Sequence, residues 1–189
     1  MANAQIVKNL NEENKVKLLT PKYLTVDVAE KAVETALAMT MNEGAPLYDL
    51  LKRHHCHIVV LVPVMEDARK EEYPNWPNYP TQAYPLYQKS VGNKTEWEYP
   101  YDKIAMCKAL QLWTDRNDDR TDPIPHLLFP GDTPFWGGVK RRGYVVTCSG
   151  VQPWFDKMIS GFTSDGIVAL AHDAFINDKE IQEGVNFLS

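Results

Sequence analysis

Apolar and polar positions along this chain fall into two periods, one helical and one extended. After Thr25, a residue suited to capping, Val28, Ala29, Ala32, Val33, Ala36 and Leu37 recur at three- and four-residue spacing, which predicts a helix with one apolar face. Asp27 and Glu30 suit its positive end, and Gly44-Ala45-Pro46 closes it. Leu47 to Arg53 has the makings of a further turn, and His57 to Val64 is then almost continuously apolar and β-branched, the pattern of a strand covered on both faces. Pro63, late in that run, marks an edge or a strand end. Pro85 to Val91 reads as a weaker strand ended by Gly92-Asn93, and a second helix starts near Tyr101 with Ile104, Ala105, Ala109, Leu112 and Trp113 on its inner side. A proline-rich connection, Asp122 to Pro134, leads to two strands at about Trp136 to Lys140 and Tyr144 to Ser149. The helix after them is expected to turn Phe155, Ile159, Phe162, Gly166, Val168 and Ala169 inward.

The ends carry weaker patterns. Residues 1–22 read as a loose arm with a short helical stretch around Val16 to Leu19 that needs a partner surface, and residues 177–189 as a tail rich in acids and amides. A chain of 189 residues buries roughly 70% of its unfolded surface around one core, and no break in composition divides it. The economical reading is one domain, residues 23–176, with an insertion at about 66–100 that is rich in aromatic residues and proline.

Charge and cysteine usage narrow the partners. A formal net charge of −5 argues against a general affinity for nucleic acid, and Lys140-Arg141-Arg142 is the solvated end of a hairpin. The polar amino end lacks the apolar core of a signal peptide, and no run approaches the ~18 apolar residues of a membrane span, so a soluble cytoplasmic protein is expected. Cys56, Cys107 and Cys148 are odd in number and widely spaced, which predicts reduced, buried thiols.

Several local features carry candidate chemistry. In Tyr73-Pro74-Asn75-Trp76-Pro77-Asn78-Tyr79-Pro80 an aromatic residue precedes each proline at three-residue intervals, so Tyr73, Trp76 and Tyr79 share one edge of a polyproline II ribbon. That ribbon either covers its own fold or a neighbouring subunit, or forms a lid that stacks on a flat ligand. His54-His55-Cys56-His57 places only His55 and His57 on one side of a strand, too few for a metal site without a further ligand, so no metal is assigned. Either histidine is an axial haem candidate or a plain strand entrance. Glu66-Asp67, just past the first strand, is the best carboxylate pair: solvated loop charges or a general base. Gly137, Gly138, Gly143 and Gly150 punctuate the strand pair, where glycine serves a tight turn or the close approach of a ligand or another chain. No phosphate-binding glycine loop, dinucleotide fingerprint, nucleophile elbow or zinc-protease motif occurs.

Taken in order, the first helix, the His57 to Met65 strand, the Tyr101 to Trp113 helix with Lys108-Ala109, the Trp136-Gly137-Gly138-Val139 step, the Gly143 to Gly150 strand and Asp156 resemble the GlcG/HbpS-like family. That family, also called the haem-degrading domain family, includes the carboxy-terminal domain of PduO-type proteins. The resemblance spans about residues 24–175 in order of elements and is closest over about 101–175. It implies an α+β fold with a central, mainly antiparallel sheet flanked by helices, assembled into symmetric homo-oligomers, often octamers. Haem binding, haem degradation and small-molecule catabolism are the activities the resemblance implies. Where the family usually has an Asp and a short Gly turn into a second strand, this chain has Glu66-Asp67-Ala68-Arg69 and the aromatic insertion.

Two principal readings follow. In the first, the chain binds haem or another flat hydrophobic molecule, gripped by Trp136, Gly137, Gly138, Lys108 and the ribbon of Tyr73, Trp76 and Tyr79, with His55 or His57 as axial ligand. In the second, it is a cofactor-independent isomerase, cyclase or lyase acting on a hydrophobic metabolite, with the insertion as lid and Glu66, Asp67 or Asp156 as the proton-transfer group. A third reading makes the ribbon and the arm an assembly device.

Overall fold

The continuous apolar run becomes the longest strand because both of its faces have a layer to pack against. In the computed structural model, which describes residues 18–66, 81–117, 124–186 and 188, the strands are β1 (Leu18–Leu19), β2 (Cys56–Glu66), β3 (Gln82–Val91), β4 (Gly138–Arg141) and β5 (Tyr144–Ser149). The helices are α1 (Val26–Thr40), α2 (Tyr101–Trp113), α3 (Pro153–Ile176) and α4 (Lys179–Gln182). β2 lies between β3 and β5, β4 flanks β5, and β1 pairs with the far end of β2, every pairing being antiparallel. Thus the fold is α+β, with a mainly antiparallel five-stranded sheet flanked by helices.

Alternation along β2 sorts the core into two halves. Ile58, Val60, Val62 and Val64 join the cluster that includes Ala29, Ala32 and Val33 of α1 and Ile159 and Ile167 of α3. Val59 and Leu61 point the other way, onto Ala105, Ala109 and Leu112 of α2. Pro63 lies beyond the last β2–β5 partners, Leu61 and Val145, where its strand has β3 alone beside it and a missing N–H disturbs least. Thr25 caps α1 by accepting from the Val28 amide at 3.2 Å. Cys56 and Cys148 are buried free thiols, and Cys107 is only half-buried.

Two expectations need correction. Leu18–Leu19 is not helical: it is a strand opposite Met65 and Glu66, because the open end of β2 supplies the backbone partners that a two-residue helix would lack. The inner face of α3 matches the expected one only in part: Ile159 is buried and Phe155 and Val168 pack against the core. Phe162 and Ala169 are exposed, whereas Asp156, Ile159, Ser160, Thr163, Ser164 and Ile167 are buried. Most polar members of that face find partners inside, such as the Tyr144 hydroxyl, 2.7 Å from both the Ser164 carbonyl and its Oγ, whereas the buried Thr163 hydroxyl has none among the described residues; a hydropathy pattern assigns the face to solvent.

Candidate functional site

Lys108 stands one turn from Ala105 and from Leu112 on α2, at an apolar position of the helix, and is 1% exposed. A lysine ammonium without a partner is very costly at such depth. Its Nζ donates to the Cys148 carbonyl at the end of β5 and to Asp156 Oδ2 in the first turn of α3, both at 3.0 Å. Asp156 Oδ1 in turn accepts the Val151 amide at 3.2 Å. The Ser160 hydroxyl donates to the Asp156 carbonyl at 2.7 Å and lies 3.2 Å from the Gly137 carbonyl, so the start of α3 is tied to the turn before β4. Burial raises the Asp156 carboxyl above its ordinary range, opposed by the Lys108 ammonium and by the bonds from Lys108 and Val151.

The diglycine corner serves this pair. At Gly137, with φ of +124°, an added Cβ would stand 2.5 Å from Asp156 Cβ and 3.3 Å from Lys108 Nζ. Gly138 is as tightly enclosed, by Thr147 and Leu112. What approaches the bare backbone at both positions is the chain's own side chains. Trp136 beside them is half-buried.

A pocket of about 230 Å³ opens over the ion pair. Tyr99, Tyr101, Ile104, Phe135 and Pro153 supply apolar walls, Lys108 and Asp156 lie deep within, and Arg53 adds a cation. The Arg53 guanidinium donates to the Val151 carbonyl at 3.1 Å and to Glu98 Oε2 at 2.7 and 3.2 Å. Tyr101 is 3% exposed, yet its hydroxyl is a buried group without a hydrogen-bond partner among the described residues. Burial raises its phenol above the ordinary range, and the Arg53 charge acts in the opposite sense.

The sequence-predicted residues are scattered by comparison. Lys108 and Asp156 come together. His57 is buried with both ring nitrogens engaged, Nδ1 at 2.9 Å from Ser90 Oγ and Nε2 at 3.3 Å from Gln88 Oε1, and burial lowers its pKa. His55 stacks on Tyr101 with ring centroids 5.8 Å apart. The described pocket, at about 230 Å³, is smaller than the roughly 300–1,000 Å³ of sites that enclose drug-sized ligands. Glu66 ends β2 with its side chain outside the described residues, and Asp67, Tyr73, Trp76 and Tyr79 lie outside them altogether. Among the described residues, no three His, Cys, Asp or Glu side chains are grouped to hold a metal ion, and no helix is long and apolar enough to cross a membrane.

Sequence reasoning missed Arg53, Tyr99, Tyr101 and Phe135 as site residues; apart from the neighbouring Tyr99 and Tyr101 they come from separate segments. It had one usable signal for the site's centre: a lysine at an apolar position of an amphipathic helix requires a buried anion. No family model matches the chain, and neither a curated protein nor a solved structure matches it.

Proposed function

We propose that this protein binds a small, flat carbonyl compound in the pocket over Lys108 and Asp156 and moves a proton on it. The observation that carries the reading is a buried ion pair in the wall of an aromatic pocket. A buried pair is a poor device for stability, since apolar residues of similar volume hold a core as well or better, so its presence in a cleft points to chemistry. The Asp156 carboxylate takes a proton from the carbon beside the carbonyl, the C–H electron pair forms a carbon–carbon double bond as the carbonyl π pair moves onto oxygen, and the enolate is held by Lys108. An ammonium has three donors, and two of them have protein acceptors here, which leaves one for a ligand oxygen. Return of the proton to the same carbon exchanges it with solvent, and return elsewhere isomerises the compound.

Proton nuclear magnetic resonance in D₂O tests this with acetophenone, phenylacetone and phenylpyruvate. The wild-type protein is expected to exchange the proton beside the carbonyl at least about 100-fold faster than a folded Asp156→Asn variant, in line with the weight of acid–base catalysis. Equal rates refute the assignment of Asp156. Binding without exchange by either protein would leave a ligand-binding domain with no chemistry.

Self-association belongs to the same proposal. Trp154, Phe162 and Ile176 stand exposed along one side of α3, with Asp165 and His172 between them, a face that a second copy of the chain would cover.

A further inference from the structure

Arg53 belongs to the pocket wall, whereas Glu98, the carboxylate that neutralises it, does not. Within the described walls the Lys108 and Asp156 charges cancel, so Arg53 is the one charge that the pocket does not balance from inside. Tyr101 lines the same wall, and its hydroxyl, able to donate, is one of three buried polar groups without a partner among the described residues, with Trp97 Nε1 and Thr163 Oγ1. Leaving a buried hydroxyl unpaired is costly, and a native fold tolerates it where a ligand completes the bond.

We propose that the ligand is a carboxylate, held between the Arg53 guanidinium and the Tyr101 hydroxyl, and that Glu98 is an internal placeholder which the ligand's own carboxylate displaces. The proposal rests on the reading of this pocket as a ligand site and names the class of molecule it takes. An arginine fork matches a carboxylate in plane and charge, and Tyr99, Tyr101 and Phe135 flank the space for a flat apolar body. Glu98 is suited to leave. Its side chain is 54% exposed, and its exchange with a ligand swaps the two charge-assisted bonds from Arg53 for others of the same kind. It also lines a neighbouring outer groove with Lys94 and Asp102, themselves paired at 3.2 Å, so a released carboxylate stays in contact with solvent there.

Isothermal titration calorimetry with benzoate and its neutral counterpart benzamide tests the proposal. Benzoate is expected to bind the wild-type protein about tenfold tighter than benzamide, because only benzoate forms charge-assisted bonds. Glu98→Gln should tighten benzoate about three- to tenfold and alter benzamide less than about twofold, since it removes the competitor without touching the walls. Tyr101→Phe should weaken benzoate about fivefold while the melting temperature holds or rises, because an unsatisfied hydroxyl is lost. Benzamide binding as tightly as benzoate, or unchanged benzoate affinity in Glu98→Gln, overturns the carboxylate assignment and leaves the pocket standing. Failure of both probes with both the wild type and Glu98→Gln overturns it together with the pocket itself.

Discussion

Replacing Lys108 by methionine keeps the length of the side chain and removes its charge, which isolates what the ammonium does for Asp156. In the variant the Cys148 carbonyl loses a donor, and the Asp156 carboxylate keeps the Val151 amide but no cation. Removing one partner of a buried pair costs about 3–5 kcal/mol, a large share of the roughly 5–15 kcal/mol that holds a domain folded. The penalty depends on pH with a definite sign. Burial already raises the Asp156 carboxyl, and without Lys108 to oppose it the native value rises further. Between about pH 3.9, where the unfolded carboxyl ionises, and the raised native value, the folded chain holds a proton that the unfolded chain has released. Stability therefore falls as pH rises through that window, by at most about 1.4 kcal/mol per pH unit. Lowering the pH from 7 to 5 should return up to about 3 kcal/mol to Lys108→Met relative to the wild type. Lys108→Met combined with Asp156→Leu should recover most of the loss at every pH, because no buried charge is left unpaired. Urea unfolding followed by tryptophan fluorescence at pH 5, 6 and 7 measures these differences. A Lys108→Met deficit equal at pH 5 and pH 7, or one under about 1 kcal/mol, would refute the account of a desolvated carboxyl held by its partner.

The remaining predictions concern the backbone and the outer surface. Gly150→Ala places a Cβ 2.4 Å from the His55 carbonyl and 2.6 Å from Cys56 Cα at φ of +144°, so the end of β5 must move; a loss of about 3 kcal/mol or more, near 6–12 °C in melting temperature, is expected by calorimetry. Gly44→Ala, at φ of +83° with nothing within 4 Å, should cost only about 1–2 kcal/mol, and equal losses at the two sites would contradict the steric account. Phe162→Glu puts a charge on the exposed stripe of α3 and should reduce the mass measured by light scattering without lowering helicity; an unchanged mass removes that stripe from any interface.

Much of the architecture was legible because it is written in local periodicity. The apolar positions of α1 from Ala29 to Leu37 are buried as spaced, with Val28 half-buried at the helix start, and β2 reads as a strand covered on both faces because side chains alternate between the two core clusters. Lys108 was visible as a residue and its burial was foreshadowed by its position on α2, but its partner lies 48 positions further on. Where periodicity failed, polar groups had been buried against each other: Ser160 and Ser164 on α3 read as a solvent face until the Gly137 and Tyr144 groups they meet are known.

By itself, the sequence determined the main helices and strands, though not β1, and the two-sided burial of β2, and it set Lys108 on the apolar side of α2, where a buried lysine needs an anion, because each follows from residues within a few positions of one another. Tertiary structure alone decided that Asp156 is that anion, that Gly137 is bare to admit the pair, and that Arg53 and Tyr101 share one pocket wall. Hydrogen bonds and close packing act over a few ångströms in space, and chain separation leaves no trace of them in spacing.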